Sequence, residues 1–246
     1  ITSGRYNAIV LAPVTSSSAL ACVRQAKAAD IPVVALDVSL GKDPRAVEPT
    51  MDGVVAQVVW GMESNAKNIA GLAKKACEGK DPCNAIVEIA TPSDELTNIA
   101  LQELKDGGAG DNVKVVGTFA SNYDAAAVTK ALPDLLTAHP DTNVIVMAAD
   151  NTAVAAIAVV KDAGKDILVT GTGGSRAGVK AVKSGQMFGS LGIWPRQAGV
   201  KAAEFALKAI NGEKIDQPGV DEFKMDEPQL LYKDNIDEFT PEWGAE

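Results

Sequence analysis

Apolar residues along this chain gather in short runs, each followed by a polar turn and then by a stretch in which they recur at helical spacing. The runs at residues 7–11, 32–36, 54–59, 85–89, 113–119, 144–147, 167–170 and 188–191 predict strands, with a last short one at 230–232. Helical spacing predicts helices from the serines at 16–18 to about residue 29, over 64–77, and over 94–105, 124–138, 151–163, 175–184 and 195–211. The serines should cap the first helix, Pro195 suits the first turn of the last, and Pro133 predicts a kink or break in 124–138. Residues 38–53, rich in Gly, Pro and charge, read as a loop.

The clearest unit is VIVMAADNTAVAAIAVVKDAGKDILVTGTGGSRAG, residues 144–178, in which Ala153, Ile157, Val160 and Ala163 mark a helix that Gly164 stops. Two apolar runs joined through a helix pair in parallel, because the chain must return along the sheet before the second strand starts. Regular alternation of strand and helix from residue 64 to 192 then predicts an α/β fold with an open parallel sheet, with ligands beyond the carboxyl ends of the strands. That edge would hold Asp37, Ala148 to Asn151 and Thr172 to Arg176. For Asp37 a ligand-binding carboxylate and a loop brace both stand as readings. For Asp150 the choice is between a helix N-cap and an acceptor of ligand hydroxyls.

The turn GTGGSRAG at 171–178 invites a phosphate-loop reading and fails each template. Arg176 stands where a dinucleotide fingerprint needs Gly or Ala, Val179 where a P-loop needs Lys, and Ala177 where a nucleophile elbow needs Gly. A plain turn with Ser175 as N-cap remains, with Arg176 reaching into a cleft as the second reading. Trp60 and Trp194 each follow an apolar run, and cleft lining and hinge packing are both open for them. The one histidine, His139, is expected on the surface at a helix end, and no carboxylate pair or ligand cluster points to catalysis or metal.

Composition narrows the class. Net charge is −9 and no basic stripe appears, which disfavours a nucleic-acid partner. No apolar run reaches the ~18 residues of a membrane span, and Ile1 does not open a signal sequence, as in an already processed chain. Cys77 and Cys83 flank a turn, CEGKDPC, where a short disulfide and two free thiols are both possible; Cys22 is expected to be a buried small hydrophobe.

Three segments carry a resemblance. AIVLAPVTSSSALACVRQAKAADIPVVALD, LLTAHPDTNVIVMAADNTAVAAIAVVKDAGKDILVTGTGG and GVKAVKSGQMFGSLGIWPRQAG resemble the type I periplasmic sugar-binding proteins of the ribose-binding kind. The resemblance implies two doubly wound parallel-sheet lobes joined by a multi-strand hinge: residues 1–60 with 195–224, and 61–194 with 225–246. Against that family the amino-terminal lobe is incomplete as given, so Ile1 is not expected to be the native start. The implied role is extracytoplasmic, periplasmic or anchored at the cell surface, capturing a sugar or polyol-like ligand for a membrane ABC permease by hinge closure. A monomer with no cofactor, no enzymatic activity and a Cys77–Cys83 disulfide is expected. A LacI-type ligand-sensing domain without its DNA-binding headpiece is the alternative.

Asp37 falls on the family's binding aspartate, and Tyr123 on an aromatic. Much of the usual polar fork is replaced: Ala12, Val38, Ala149, Gly173 and Ile193 stand where sugar binders carry Asn, Arg, Asn, Asp and Gln, and Thr97 or Asn98 where an Arg is common. Thr91, Ser93, Asn122, Thr172 and Arg176 are the other candidates for polar contacts, beside Asp150, Trp60 and Trp194.

Overall fold

The computed structural model describes residues 1–244. In chain order the elements are β1 (Ile9–Leu11), α1 (Leu20–Ala28), β2 (Val33–Asp37), β3 (Val54–Val59), α2 (Met62–Ala76), β4 (Cys83–Ile89), α3 (Glu95–Lys105), β5 (Val113–Ala120) and α4 (Ala125–Ala138). They continue with β6 (Thr142–Val146), α5 (Asp150–Asp162), β7 (Leu168–Gly173), α6 (Arg176–Lys183), β8 (Gly189–Gly192), α7 (Pro195–Ile210), β9 (Gly219–Asp221) and β10 (Leu230–Tyr232). The chain forms two units, Ile1–Ser64 with Trp194–Asp226, and Asn65–Ile193 with the segment from Glu227 on. It passes from one to the other three times.

The first unit has one parallel sheet in the order β1-β2-β3-β9. Alternate residues of β2 bury on opposite faces. Val33 and Ala35 pack with Val23 and Ala26 of α1, while Val34 packs with Ala198, Ala202 and Phe205 of α7. A strand covered on both faces is apolar throughout, which is why PVVAL carries no alternation. The second unit has the order β10-β8-β7-β6-β4-β5, parallel except for β10, which runs antiparallel to β8.

Four local expectations are corrected. The serines do not cap α1: the Ser18 hydroxyl donates to the Thr15 carbonyl at 3.0 Å and accepts the Thr15 N–H at 3.3 Å, closing a turn. The helix therefore starts later, behind Ala19 and without a side-chain cap. Cys22 is half-buried, because Val23 and Ala26 take the inward face of α1. α4 runs unbroken through Pro133. Pro133 sits on the solvent face, where water can reach the carbonyl it leaves without an N–H, while Val128, Leu132 and Leu136 hold the helix from the other side. Finally, β9 was not expected: with three residues and one central apolar side chain, Val220, it becomes a strand by pairing with Gln57, Val58 and Val59 of β3.

Cys77, just past α2, and Cys83, opening β4, are joined by a disulfide with their Cα atoms 5.6 Å apart. The Asn112 amide donates to the Cys77 and Lys80 carbonyls at 3.3 and 2.8 Å and pins the loop between them. His139 ends α4, and its ring packs over Gly117 of β5. Among the described residues no helix is long and apolar enough to cross a membrane.

Candidate functional site

Backbone conformation marks the functional edges before any side chain does. Among the described residues four non-glycine ones have positive φ, and three of them, Asp37 (+65°), Asn122 (+54°) and Tyr123 (+58°), lie at or just past the carboxyl end of a parallel strand. Left-handed backbone is costly for a bulky residue such as Tyr and persists where the surroundings impose it.

In the first unit, Asp37 ends β2. Its carboxylate is half-buried, has no hydrogen-bond partner among the described residues, and burial holds its pKa above the ordinary carboxylate range. The Asp37 carbonyl accepts the Trp60 N–H at 2.8 Å, which ties the end of β2 to the residue after β3. The Trp60 indole Nε1–H is shut off from solvent and finds no acceptor among the described residues. Its turn is clamped from behind: Asp221 of β9 accepts the Gly61 N–H at 3.1 Å and the Ser64 hydroxyl at 2.6 Å. Gly61 is required there, since a Cβ would collide with the Asp221 carboxylate. Trp194, 3% exposed, precedes α7, and its N–H donates to Glu222 at 3.1 Å.

In the second unit, the edge is built on Glu88 of β4, which is 3% exposed. Its carboxylate accepts from the Ser121 hydroxyl after β5, from the Ala148 N–H after β6 at 2.7 Å, and from the Thr152 hydroxyl of α5 at 2.7 Å. One buried acid thus knots three strand ends. Desolvation raises its pKa, and the three hydrogen bonds pull the other way. Tyr123 stands above this knot, 40% exposed, with its N–H on Ser121 Oγ at 3.0 Å and its carbonyl held by the Asn151 amide at 2.8 Å. Its hydroxyl pKa is raised first by desolvation and then by the carboxylates of Asp94 and Glu88. Thr91 and Ser93, past β4, share a hydrogen bond of 3.2 Å. Thr97 and Asn98 instead turn back to pin that loop, Thr97 on Asp94 and the Ala90 N–H, Asn98 on the carbonyls of Thr91, Pro92 and Asp94.

Asp150 is fully buried, with one oxygen accepting the Ser175 N–H and the other the Ser190 hydroxyl, both at 2.7 Å. Ala149, not Asp150, is the N-cap of α5. The glycines of GTGGSRAG fit around this carboxylate: a Cβ on Gly171 or Gly178 would run into it. Ser175 caps α6 by accepting the Gly178 N–H at 3.0 Å. The turn that looked like a phosphate cradle is a seat for an internal acid. Arg176 is exposed and donates to the Gly244 carbonyl at 2.8 Å, and Thr172 donates to the Met147 carbonyl at 3.2 Å.

Two features escaped the sequence reading. Glu88 is a single acid inside the run AIVEIA, a signal open to view. Trp243 had no such signal, lying with Phe239 in an acidic tail, yet its ring lies against Gly173 and its Nε1–H donates to the Gly173 carbonyl at 2.6 Å.

Comparison with known proteins agrees with this architecture. Residues 1–214 match the family described as periplasmic binding protein domain. The ribose import binding protein of Salmonella typhimurium is 28% identical over 208 residues, covering 84% of this chain and 67% of that protein. The Bacillus subtilis ribose import binding protein is 27% identical over 217 residues, 86% of this chain and 65% of its own. Among solved structures, an ABC transporter periplasmic solute binding protein from Actinobacillus succinogenes with bound D-allose is similar at 25% identity and TM-score 0.79, covering 96% of this chain and 82% of that one. A solute binding protein from Mycobacterium smegmatis with bound glycerol shares the fold at TM-score 0.81 and 21% identity, covering 100% and 81%.

Proposed function

The chain belongs to the type I periplasmic sugar-binding proteins, and from that premise we propose that it captures a sugar or polyol-like ligand outside the cytoplasm and delivers it to an ABC importer. It is a carrier and not a catalyst on this reading, which its relatives' names support. The observation that carries it lies at two neighbouring strand ends of the first unit: among the described residues the half-buried Asp37 carboxylate ending β2 has no partner, and the indole N–H of Trp60, just past β3, has no acceptor. Buried polar groups normally find partners, and an acceptor and a donor left unpaired at adjacent strand ends suit a hydroxylated ligand that can satisfy both. The indole adds an apolar face for the C–H side of such a ligand.

The second unit contributes Tyr123, Thr91 and Ser93, while Asp150 spends its carboxylate internally. Capture then works by population shift: a ligand that bonds to both units favours the closed state, with the three chain crossings as hinge. The LacI-type alternative has no specific observation in its favour.

A thermal-shift screen of pentoses, hexoses and cyclic polyols, followed by calorimetry, tests the reading, because a ligand of the native state raises Tm by linkage. Trp60→Ala should weaken binding by about 1–3 kcal/mol without unfolding the chain. Affinity should also fall on acidification through the raised pKa of Asp37, since the protonated acid loses acceptor strength, and Asp37→Asn should flatten that dependence. A screen without a hit, or full affinity in Trp60→Ala and Asp37→Asn, would overturn it.

A further inference from the structure

We propose that Trp243, carried on the carboxy-terminal tail, is a ligand-contacting residue of the second unit that selects for cyclic sugars and polyols through its ring face. The inference rests on the sugar-binding reading and deepens it. Gly173 is the last residue of β7, at the carboxyl edge of the sheet where ligands of α/β folds gather. With φ at +130° it tolerates no ordinary side chain, and the space a Cβ would take is filled by Trp243 Cζ2, 2.5 Å away. An aromatic ring from elsewhere in the chain therefore occupies a position at this edge that the strand itself leaves bare.

The ring is held by many points. Ile236 and Phe239 are buried, and Phe239 lies against two more glycines, Gly174 and Gly192, where a Cβ would come within 2.6 and 2.9 Å of its ring. The Trp243 carbonyl accepts the Arg176 N–H at 3.0 Å, and the Arg176 guanidinium reaches the next carbonyl, that of Gly244, at 2.8 Å. Both bonds hold the backbone just after the Trp243 Cα. Burial of Phe239 alone would anchor the tail, so the further clamp on residues 243 and 244 serves the placement of the indole. A ring fixed before binding costs a ligand less ordering entropy than one that must be immobilised.

The chemistry of selection follows from what the indole has left to offer. Its N–H is already given to the Gly173 carbonyl, so it cannot take a ligand oxygen. Trp243 is half-buried, and apart from that N–H its ring is all carbon. Such a surface favours a ligand with several C–H groups on one face, as in a pyranose or a cyclic polyol, over an open-chain polyol that exposes no flat apolar face.

Calorimetric titration of the full chain with D-ribose, D-allose, D-fucose, myo-inositol and open-chain sorbitol tests this, using Trp243→Ala, Trp243→Leu and Trp243→Phe beside the unchanged protein. Melting curves without ligand report folding. The expected result is at least tenfold weaker binding of the cyclic ligand in the Ala and Leu variants, with Trp243→Phe within about threefold of the unchanged protein. Leu fills the seat without a ring, so it keeps the test alive if Ala loosens the tail. Binding in Trp243→Leu equal to that of the unchanged protein would overturn the proposal while leaving the sugar-binding reading in place. Failure of the unchanged protein to bind any of the five would overturn both.

Discussion

Asp150 opens α5 with its carboxylate turned inward, and the glycines around it exist because a side chain there would collide with it. Its pKa is raised by desolvation against the opposing pull of Ser190 and Ser175. Asp150→Ala would leave a buried N–H and a buried hydroxyl without an acceptor, and each such orphan costs about 1–3 kcal/mol. We expect a loss of about 2–4 kcal/mol in urea unfolding, with Asp150→Asn much milder, since an amide can still accept from Ser175 and donate to Ser190. Glu88 allows a pH test. Its native pKa is raised, so the native state holds the proton more tightly than the unfolded chain, and the stability this adds is present below about pH 4 and lost as pH rises through the raised value. The advantage of the unchanged protein over Glu88→Gln should therefore be larger at pH 4 than at pH 7 in paired urea titrations, and an equal gap at both would refute it. At this scale the sequence shows where a residue stands better than what it bonds to. Asp37 at a strand tip follows from the pattern alone, whereas the turn of Asp150 toward Ser175 and Ser190 depends on partners 25 and 40 positions away.

Elements were legible wherever local pattern and tertiary burial agree. The β6-α5-β7 stretch was readable because both its strands bury on two faces and its helix ends at a glycine of positive φ, Gly164. β9 was not, because its strand character comes from the neighbour it pairs with rather than from its own three residues. α1 shows the same limit in reverse: Ser18 carries capping chemistry but spends it on the backbone of Thr15. The disulfide lies between these cases, since the short loop was visible and the approach of α2 to β4 was not. Closing a loop of six positions' separation removes about 2 kcal/mol of unfolded-state freedom. The double variant Cys77→Ser/Cys83→Ser should be less stable by about that amount in denaturant titration, with ligand affinity unchanged, because the bridge is at the amino end of β4 and the binding edge is at the other.

For the whole molecule, the order of strands and helices pointed to parallel α/β sheets, because alternation and the right-handed crossover leave few topologies open, while the division into two lobes came from the family resemblance. The ligand was not legible. Specificity in such a fold rests on a few side chains at strand ends, and the usual polar ones are largely absent from this sequence. The replacements proposed above, on a tail remote in the chain and in orphaned groups, show only once the strands are assembled.

The antiparallel β10 has a consequence for anyone who divides this protein. It reaches β8 only after the chain has left the second unit at Ile193, passed through α7 and β9 of the first, and returned at Glu227. Neither unit is therefore a single uninterrupted stretch of polypeptide. A fragment of residues 65–193 would carry five of the six strands and bare the outer rim of β8, whose backbone N–H and carbonyl groups pair with Leu230, Leu231 and Tyr232 in the intact chain. Unsatisfied strand rims recruit other copies. Such a fragment should self-associate on a sizing column, and a synthetic peptide of residues 227–244 should return it to one copy per particle. A fragment that stays single without the peptide would show that the five-strand sheet protects its own rim.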